Sequence, residues 1–264
     1  MKSLIVFDLD GTLAESKSPV DAEMGGLLSA LLGLADVAVI SGGGWPQFET
    51  QLLPALGTGP ALDRLTLLPI CGAEFYVRRE GWTRLYSMAF TPEERDRIRA
   101  DLEAALRHCA FDIPRTWGPQ IEDRGGQVTL SALGQAAPIA EKLKWDPHQT
   151  KRARLLAWLA PHADLYSAHI GGATSVDVTR PGVDKAFGVR QLAKTLEIGI
   201  ADMLFVGDAL FAGGNDFPVK STGVATVAVR DAEETKRVIE TLIACAGGIG
   251  RAAAHPAGRV AAPA

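Results

Sequence analysis

The sequence predicts an α/β fold: a parallel-sheet core with helices on both faces, split in sequence by an inserted α+β cap. Three observations predict it. Short apolar runs at 4–7, 37–40, 203–206 and 224–229 suit strands buried on both faces of a parallel sheet. Segments of helical periodicity lie between them, which is the alternation of doubly wound sheets. The middle of the chain, about residues 88–181, loses that strict alternation, as an independent α+β module would.

The elements follow in order. Residues 4–7 form the first strand, between Lys2-Ser3 and Asp8. Val20, Met24, Leu27, Leu28 and Leu31 fall at helical spacing. Residues 37–40 form a second strand, which runs into Ser41-Gly42-Gly43-Gly44, with a helix expected from Trp45. Residues 65–70 are a third strand candidate, weakened by Pro69. Thr91-Pro92-Glu93-Glu94 opens a helix with a capping box and proline at its first position. A segment at 127–133 follows, and Asp146-Pro147 reads as another capped start, with Leu155, Leu156 and Leu159 on one face. Residues 174–179 alternate like a half-buried strand. The first pattern then returns with a helix over 184–196, the strands 203–206 and 224–229, and a last helix capped by Asp231 and Glu234 through Ile243. The expected domains are a core of 1–87 plus 182–245, a cap of 88–181, and a disordered Gly-, Ala- and Pro-rich tail at 246–264.

Composition excludes several function classes. The 264 residues are 47% hydrophobic and 22% charged, enough for a full core without disulfides or structural metal. A net charge of −4 and the absence of a dense basic stripe argue against nucleic acid. The local cluster Lys151, Arg152 and Arg154 reads as a solvated helix face. The three cysteines, Cys71, Cys109 and Cys245, are widely spaced and are expected as reduced, mostly buried thiols. The run at 4–7 is too short for a signal-peptide core, and the richest apolar stretch, 27–40, is broken by Gly33 and Asp36. No membrane association and a cytoplasmic location are therefore expected.

The strongest chemical signal is Asp8-Leu9-Asp10-Gly11-Thr12-Leu13, directly after the first strand. Ligands of open parallel sheets bind beyond the carboxyl ends of the strands, so both acids lie where a substrate would. Asp8 can attack phosphorus and become an aspartyl-phosphate, while Asp10 gives a proton to the leaving oxygen and later takes one back. On their own, two acids this close could merely be a helix-capping turn. Carboxylates facing a phosphate need a cation between them, and Mg²⁺ suits an all-oxygen site. A second acidic strand end, Gly207-Asp208-Ala209-Leu210-Phe211-Ala212-Gly213-Gly214-Asn215-Asp216, supplies Asp208 as a ligand and Asp216 as a ligand or a partner of ligands. Lys185 is the candidate point charge for the phosphate. Ser41 and Gly42 are the candidate phosphate-binding turn. The expected metal set is Asp8, Asp10, Asp208 and Asp216. None of the five histidines falls in these segments, and Trp45 is a candidate wall of the site.

In this order, Asp8 and Asp10, then Ser41, then Lys185, then Asp208 and Asp216, the residues resemble the four motifs of the haloacid dehalogenase superfamily. That resemblance implies a Rossmann-like core. An insertion between Ser41 and Lys185 resembles the superfamily's C2-type cap. The chain looks most like eukaryotic-type phosphomannomutase: Gly207 to Asp216 matches the spacing and Gly-Gly-Asn-Asp ending of that family's last motif. Ile121-Glu122-Asp123-Arg124-Gly125-Gly126 is similar to its cap segment ending in Phe-Arg-Asn-Gly, and Gly171-Gly172-Ala173-Thr174-Ser175-Val176-Asp177-Val178 to Gly-Gly-Gln-Ile-Ser-Phe-Asp-Val. The resemblance implies that Arg124, Ser175 and Asp177 bind the distal part of a sugar phosphate, and cap-to-cap homodimers occur in the family it resembles; the cap is expected to open for substrate and close to exclude water on hinges near 86–89 and 180–183.

The departures from that family set the expected reaction. Lys17 stands for an arginine after the first motif, Gln135 for an arginine in the cap, and Gly43 for a serine. Each lost charge-assisted contact is worth ~1.5–3 kcal/mol. The expectation is therefore a Mg²⁺-dependent sugar-phosphate phosphatase in which water resolves the aspartyl-phosphate, with a hexose-phosphate mutase as the alternative. A sensor without catalysis would have lost Asp8 or Asp10, and both are present.

Overall fold

The structure, a computed structural model, describes residues 2–162 and 164–252. Its larger sheet has seven strands: β1 (Leu4–Asp8), β2 (Asp36–Ile40), β3 (Leu65–Leu68), β4 (Glu74–Arg78), β5 (Trp82–Ser87), β10 (Met203–Gly207) and β11 (Ala225–Ala228). Their order is β11-β10-β1-β2-β3-β4-β5. The pairs from β11 to β3 are parallel, and β4 and β5 add an antiparallel hairpin at one edge. The sequence did not announce that hairpin. The third strand is shorter than expected and stops at Leu68, so Pro69 falls just outside the ladder.

Apolar strands buried on both faces need helices on both faces. One face packs against α1 (Ala22–Leu32), α2 (Trp45–Gln51) and α7 (Ala232–Ala252) through Met24, Leu28, Phe48 and Ile239. The other packs against α6 (Lys185–Leu196) through Val189 and Leu192. Asp184 proves to be the N-cap of α6, accepting from Phe187 N at 2.7 Å. The last helix outruns its expected end at Ile243 and continues to Ala252, so the start of the expected disordered tail is helical; residues 253–264 lie outside the described residues.

The cap is a four-stranded antiparallel sheet in the order β6 (Ile121–Asp123), β7 (Gln127–Ser131), β9 (Ser175–Thr179), β8 (Ser167–Ile170). Helices α3 (Pro92–Cys109) and α5 (Thr150–Leu159) cover one face through Ile98, Leu102, Leu155 and Leu159, and a short α4 (Ile139–Trp145) sets Trp145 edge-on against Phe111. The Thr91 capping box is present: Thr91 Oγ1 accepts from Glu94 N at 3.2 Å, and Glu94 returns a carboxylate to Thr91 N at 2.7 Å. The expected start at Asp146-Pro147 is displaced. Helix α5 begins at Thr150, and Asp146 reaches forward to accept from the amides of Lys151 and Arg152, both at 3.0 Å.

Arg152 corrects the solvated-face reading of that basic cluster. Its buried guanidinium pairs with Asp146 at 3.0 Å and donates to Gly172 O, because one acid upstream of the helix turns it inward. Of the cysteines, Cys109 is buried, Cys71 is half-buried and Cys245 is exposed, so the expectation of mostly buried thiols holds only in part. Among the described residues no helix is long and apolar enough to cross a membrane.

Cap and core meet through a small apolar cluster of Ile70, Ala73, Val183, Met88 and Phe187. The two chain crossings are tied by Arg180, which donates to Met88 O and Ala89 O and pairs with Glu94 at 2.8 Å.

Candidate active site

The chain runs from β1 outward through β2 and β3, then returns to the opposite side of β1 with β10. That reversal places the switch point of the sheet between β1 and β10, where open α/β sheets bind ligands. Phe7 pairs with Val206, so Asp8 and Asp208 leave adjacent strand ends side by side. Gly11, at φ +86°, turns the chain away; a β-carbon there would stand 2.6 Å from Asp208 Oδ2. Thr12 fixes Asp208 twice, donating to its Oδ1 at 3.1 Å and accepting from its amide at 3.0 Å.

Asp8, Asp208 and Asp216 each bring a carboxylate oxygen to within 4.8 Å of the others. Lys185 lies fully buried beneath them, 2.5 Å from both Asp8 Oδ1 and Asp216 Oδ1. Asp216 Oδ2 also accepts from Ala209 N at 3.0 Å, so both of its oxygens are engaged in holding the site together. Burial raises the pKa of Asp8 well above the usual carboxylate range, and Asp216 and Asp208 add to this against the pull of Lys185. Lys185 is shifted upward: burial alone would lower it, but Asp216 and Asp8 outweigh that. Three hard oxygen donors, one buried ammonium and an acid destabilised as an anion suit a divalent cation, with Asp8 and Asp208 offering oxygens toward it.

Asp10 stands apart from that group. Its Oδ1 accepts from Lys17 N at 2.8 Å, and its Oδ2 accepts from Gln47 Nε2 at 2.7 Å and lies 3.5 Å from Lys17 Nζ. Asp10 lies outside the cluster of Asp8, Asp208 and Asp216, with Oδ1 held by the Lys17 amide and Oδ2 turned toward Gln47 of α2. Burial pushes its pKa up but is outweighed by Lys17 and these hydrogen bonds, so the net shift is downward. Ser41 follows Ile40, which pairs with Asp8; its buried hydroxyl accepts from Gly43 N at 3.0 Å, forming the turn that carries Gly42. Trp45 is half-buried and stacks on Tyr76 at 4.0 Å, packed against the core.

The cap residues form a second group facing the first. Arg124 pairs with Glu122 at 2.6 Å and packs against the phosphate-type turn, where a β-carbon on Gly44 would sit 3.7 Å from Arg124 Cβ. Asp177 accepts from Thr129 Oγ1 at 2.8 Å. Burial raises its pKa against the opposing fields of Arg124 and of Lys17 from the core. Ser175 lies two residues earlier on β9 and so on the same face.

Two residues of this region escaped sequence reasoning. Lys142, on α4, donates to Gln135 O at 3.0 Å, and its pKa is lowered by burial and then by Lys17. It thus brings a cation to the position where the arginine of the resembled family is missing. Cys71, at φ 54°, lies in the fields of Lys185, Asp177 and Asp8, and burial pushes its thiol up to about 12.

A family model described as eukaryotic phosphomannomutase matches residues 92–245. The chain belongs to the eukaryotic phosphomannomutase family. It is 23% identical over 250 residues to the phosphomannomutase of Encephalitozoon cuniculi, covering 90% of this chain and 93% of that protein. It is 28% identical over 223 residues to that of Spinacia oleracea, covering 82% and 85%. Among solved structures, an N-terminally truncated IMP-nucleotidase of Plasmodium falciparum superposes with a TM-score of 0.70 at 19% identity, covering 91% of this chain and 70% of that one. A trehalose-6-phosphate phosphatase related protein superposes at 0.56 and 17% identity, covering 94% and 100%. The chain also shares its fold with a haloacid dehalogenase-like hydrolase of Bacteroides thetaiotaomicron, at a TM-score of 0.59 and 15% identity, covering 92% of this chain and 100% of that one.

Proposed function

We propose that the chain is a Mg²⁺-dependent hexose-phosphate mutase of the phosphomannomutase type, moving a phosphoryl group between two positions of a sugar through Asp8. The single observation that carries this reading is the two-ended charge arrangement. Lys185 serves Asp8 and Lys17 stands 3.5 Å from Asp10, while Arg124 and Lys142 come from the cap side, where burial first and then Lys17 lower the pKa of Lys142. A mutase must hold a bisphosphorylated intermediate, and cations at both ends suit two phosphates. The phosphatase expectation rested on the departures at Lys17, Gln135 and Gly43, and the Lys142 ammonium, which donates to Gln135 O, supplies a charge beside the second of them. The phosphomannomutase relatives favour the mutase as well.

Asp8 and Asp208 would hold the ion, with Asp216 and Lys185 fixing Asp8. Magnesium, when bound there, offsets negative charge between the acids and the phosphoryl oxygens. Asp8 attacks phosphorus as the ester bond breaks, and Asp10 delivers a proton to the leaving oxygen. The free hydroxyl of a hexose monophosphate then attacks the aspartyl-phosphate while Asp10 takes that proton back, and the resulting bisphosphate, held by Ser175, Asp177 and Arg124, turns over so that Asp8 takes its other phosphoryl group. Residues 88–181 act as a cap that closes over this intermediate to exclude water, with hinges at the two crossings tied by Arg180.

The test is ³¹P NMR of mannose 1-phosphate incubated with the protein, Mg²⁺ and a hexose bisphosphate activator. Mannose 6-phosphate as the main product supports the mutase. Inorganic phosphate as the main product returns the reading to a phosphatase.

A further inference from the structure

We infer that Gln47 is the positioning residue that aims the carboxyl group of Asp10 at the leaving oxygen; this rests on the phosphoryl-transfer reading of the site. Asp10 lies past the end of β1, in a turn, where no strand ladder fixes its side chain. Its two oxygens are instead held from opposite sides. Lys17 N donates to Oδ1 at 2.8 Å, and Gln47 Nε2 donates to Oδ2 at 2.7 Å.

The amide of Gln47 is itself held. Its Oε1 accepts from Lys17 Nζ at 2.9 Å, closing a ring through Asp10, Gln47 and Lys17. One turn further along α2, Gln51 Nε2 donates to Ser18 O at 2.6 Å and reaches Asp10 Oδ1 only at 3.4 Å. Gln51 therefore supports the Lys17 loop more than the carboxylate. The seat of Gln47 also explains a glycine. A β-carbon on Gly43 would overlap Gln47 Oε1 at 1.6 Å and crowd its Cδ at 2.5 Å. The turn after β2 is thus bare at that position where the Gln47 side chain passes on its way to Asp10.

Aim matters here because the transfer couples two bonds. As Asp8 bonds to phosphorus, the ester electron pair moves onto the leaving oxygen, which must take the Asp10 proton in the same step. Asp10 is left as a carboxylate and regains a proton from the hydroxyl that next attacks the aspartyl-phosphate. A misplacement of ~1 Å at such a group can cost on the order of 100-fold.

The dependence on leaving group separates aim from mere structural support. A hexose 6-phosphate needs a proton on its leaving oxygen, whereas p-nitrophenyl phosphate leaves as a stable phenolate. The experiment measures kcat/KM for both esters, with Mg²⁺, in the wild type, Gln47→Met, Gln47→Glu and Gly43→Ser. The first two variants keep the size of Gln47 and remove its donor, and the third fills its seat. Each should lose about tenfold or more in the ratio of hexose 6-phosphate to aryl phosphate turnover, a fraction of the ~10²–10⁴ that general acids supply. Asp10→Asn should show the same split, larger. Equal losses on both esters in well-folded variants, or full retention of hexose phosphate turnover by Gln47→Glu, would overturn the inference. A wild-type protein that turns over neither ester would overturn the phosphoryl-transfer reading and this inference with it.

Discussion

Replacing Lys185 by methionine should destabilise the protein strongly and in a metal-dependent way. The ammonium is fully buried and lies 2.5 Å from an oxygen of each of two buried acids. At an effective dielectric of about 20, each contact is worth roughly 7 kcal/mol before desolvation is counted. Desolvation consumes several kcal/mol per ion, so the net cost of removing one member of such a set is about 3–5 kcal/mol. For a chain of this size that corresponds to a fall in Tm of roughly 6–20 °C. The loss arises because Asp8, Asp208 and Asp216 remain clustered with no cation among them. Saturating Mg²⁺ should therefore raise the Tm of Lys185→Met more than that of the wild type. The assay is differential scanning calorimetry of chelator-treated and Mg²⁺-loaded protein. Equal melting of wild type and variant in the metal-free state would refute the reasoning, as would an equal Mg²⁺ increment.

Asp8→Asn should gain less from Mg²⁺ than wild type in its melting temperature. The pKa of Asp8 is raised by burial, with Asp216 and Asp208 adding to it against the pull of Lys185. Its stabilisation is fully present below the ordinary carboxylate range and is lost as pH rises through the raised value, a step that a pH series of melts should show in wild type and not in Asp8→Asn. Lys142→Ala should lower kcat/KM for a bisphosphorylated hexose more than for p-nitrophenyl phosphate, by about tenfold for one charge-assisted contact, as steady-state kinetics would read. Arg152→Met should cost about 3–5 kcal/mol in the cap by stranding Asp146 in a buried position, seen as earlier loss of amide protection in α5 than in β1 by hydrogen exchange.

The core of this fold was legible because its signals are local. Apolar strands ending in Asp8 and Asp208 announce themselves, as do Gly11 and the Thr91 capping box. The β4–β5 hairpin was not, since its strands mix Glu74, Arg78 and Arg84 with aromatic residues and show neither a buried run nor a clean alternation. The acids of the site were readable from motif order, but their division of labour was not. Nothing in Asp-x-Asp says that Asp10 turns toward Gln47 while Asp8 turns toward Lys185; that depends on where α2 and α6 land. Lys142 and Arg152 escaped for the same reason. Each sits in a charged run typical of a solvated helix, and only folding brings Lys142 to Gln135 O and into the field of Lys17, or buries Arg152 against Asp146.

The most direct test is to ask where the phosphoryl group goes. The protein is incubated with Mg²⁺ and a ³²P-labelled hexose bisphosphate, quenched in acid and treated with borohydride, which reduces an acyl phosphate to an alcohol. Peptide mass spectrometry should find homoserine at position 8, with label lost from the protein on reduction and no labelling of Asp8→Asn. Label that survives in Asp8→Asn, or reduction at any other acid, would contradict the assignment of Asp8 as the phosphoryl carrier.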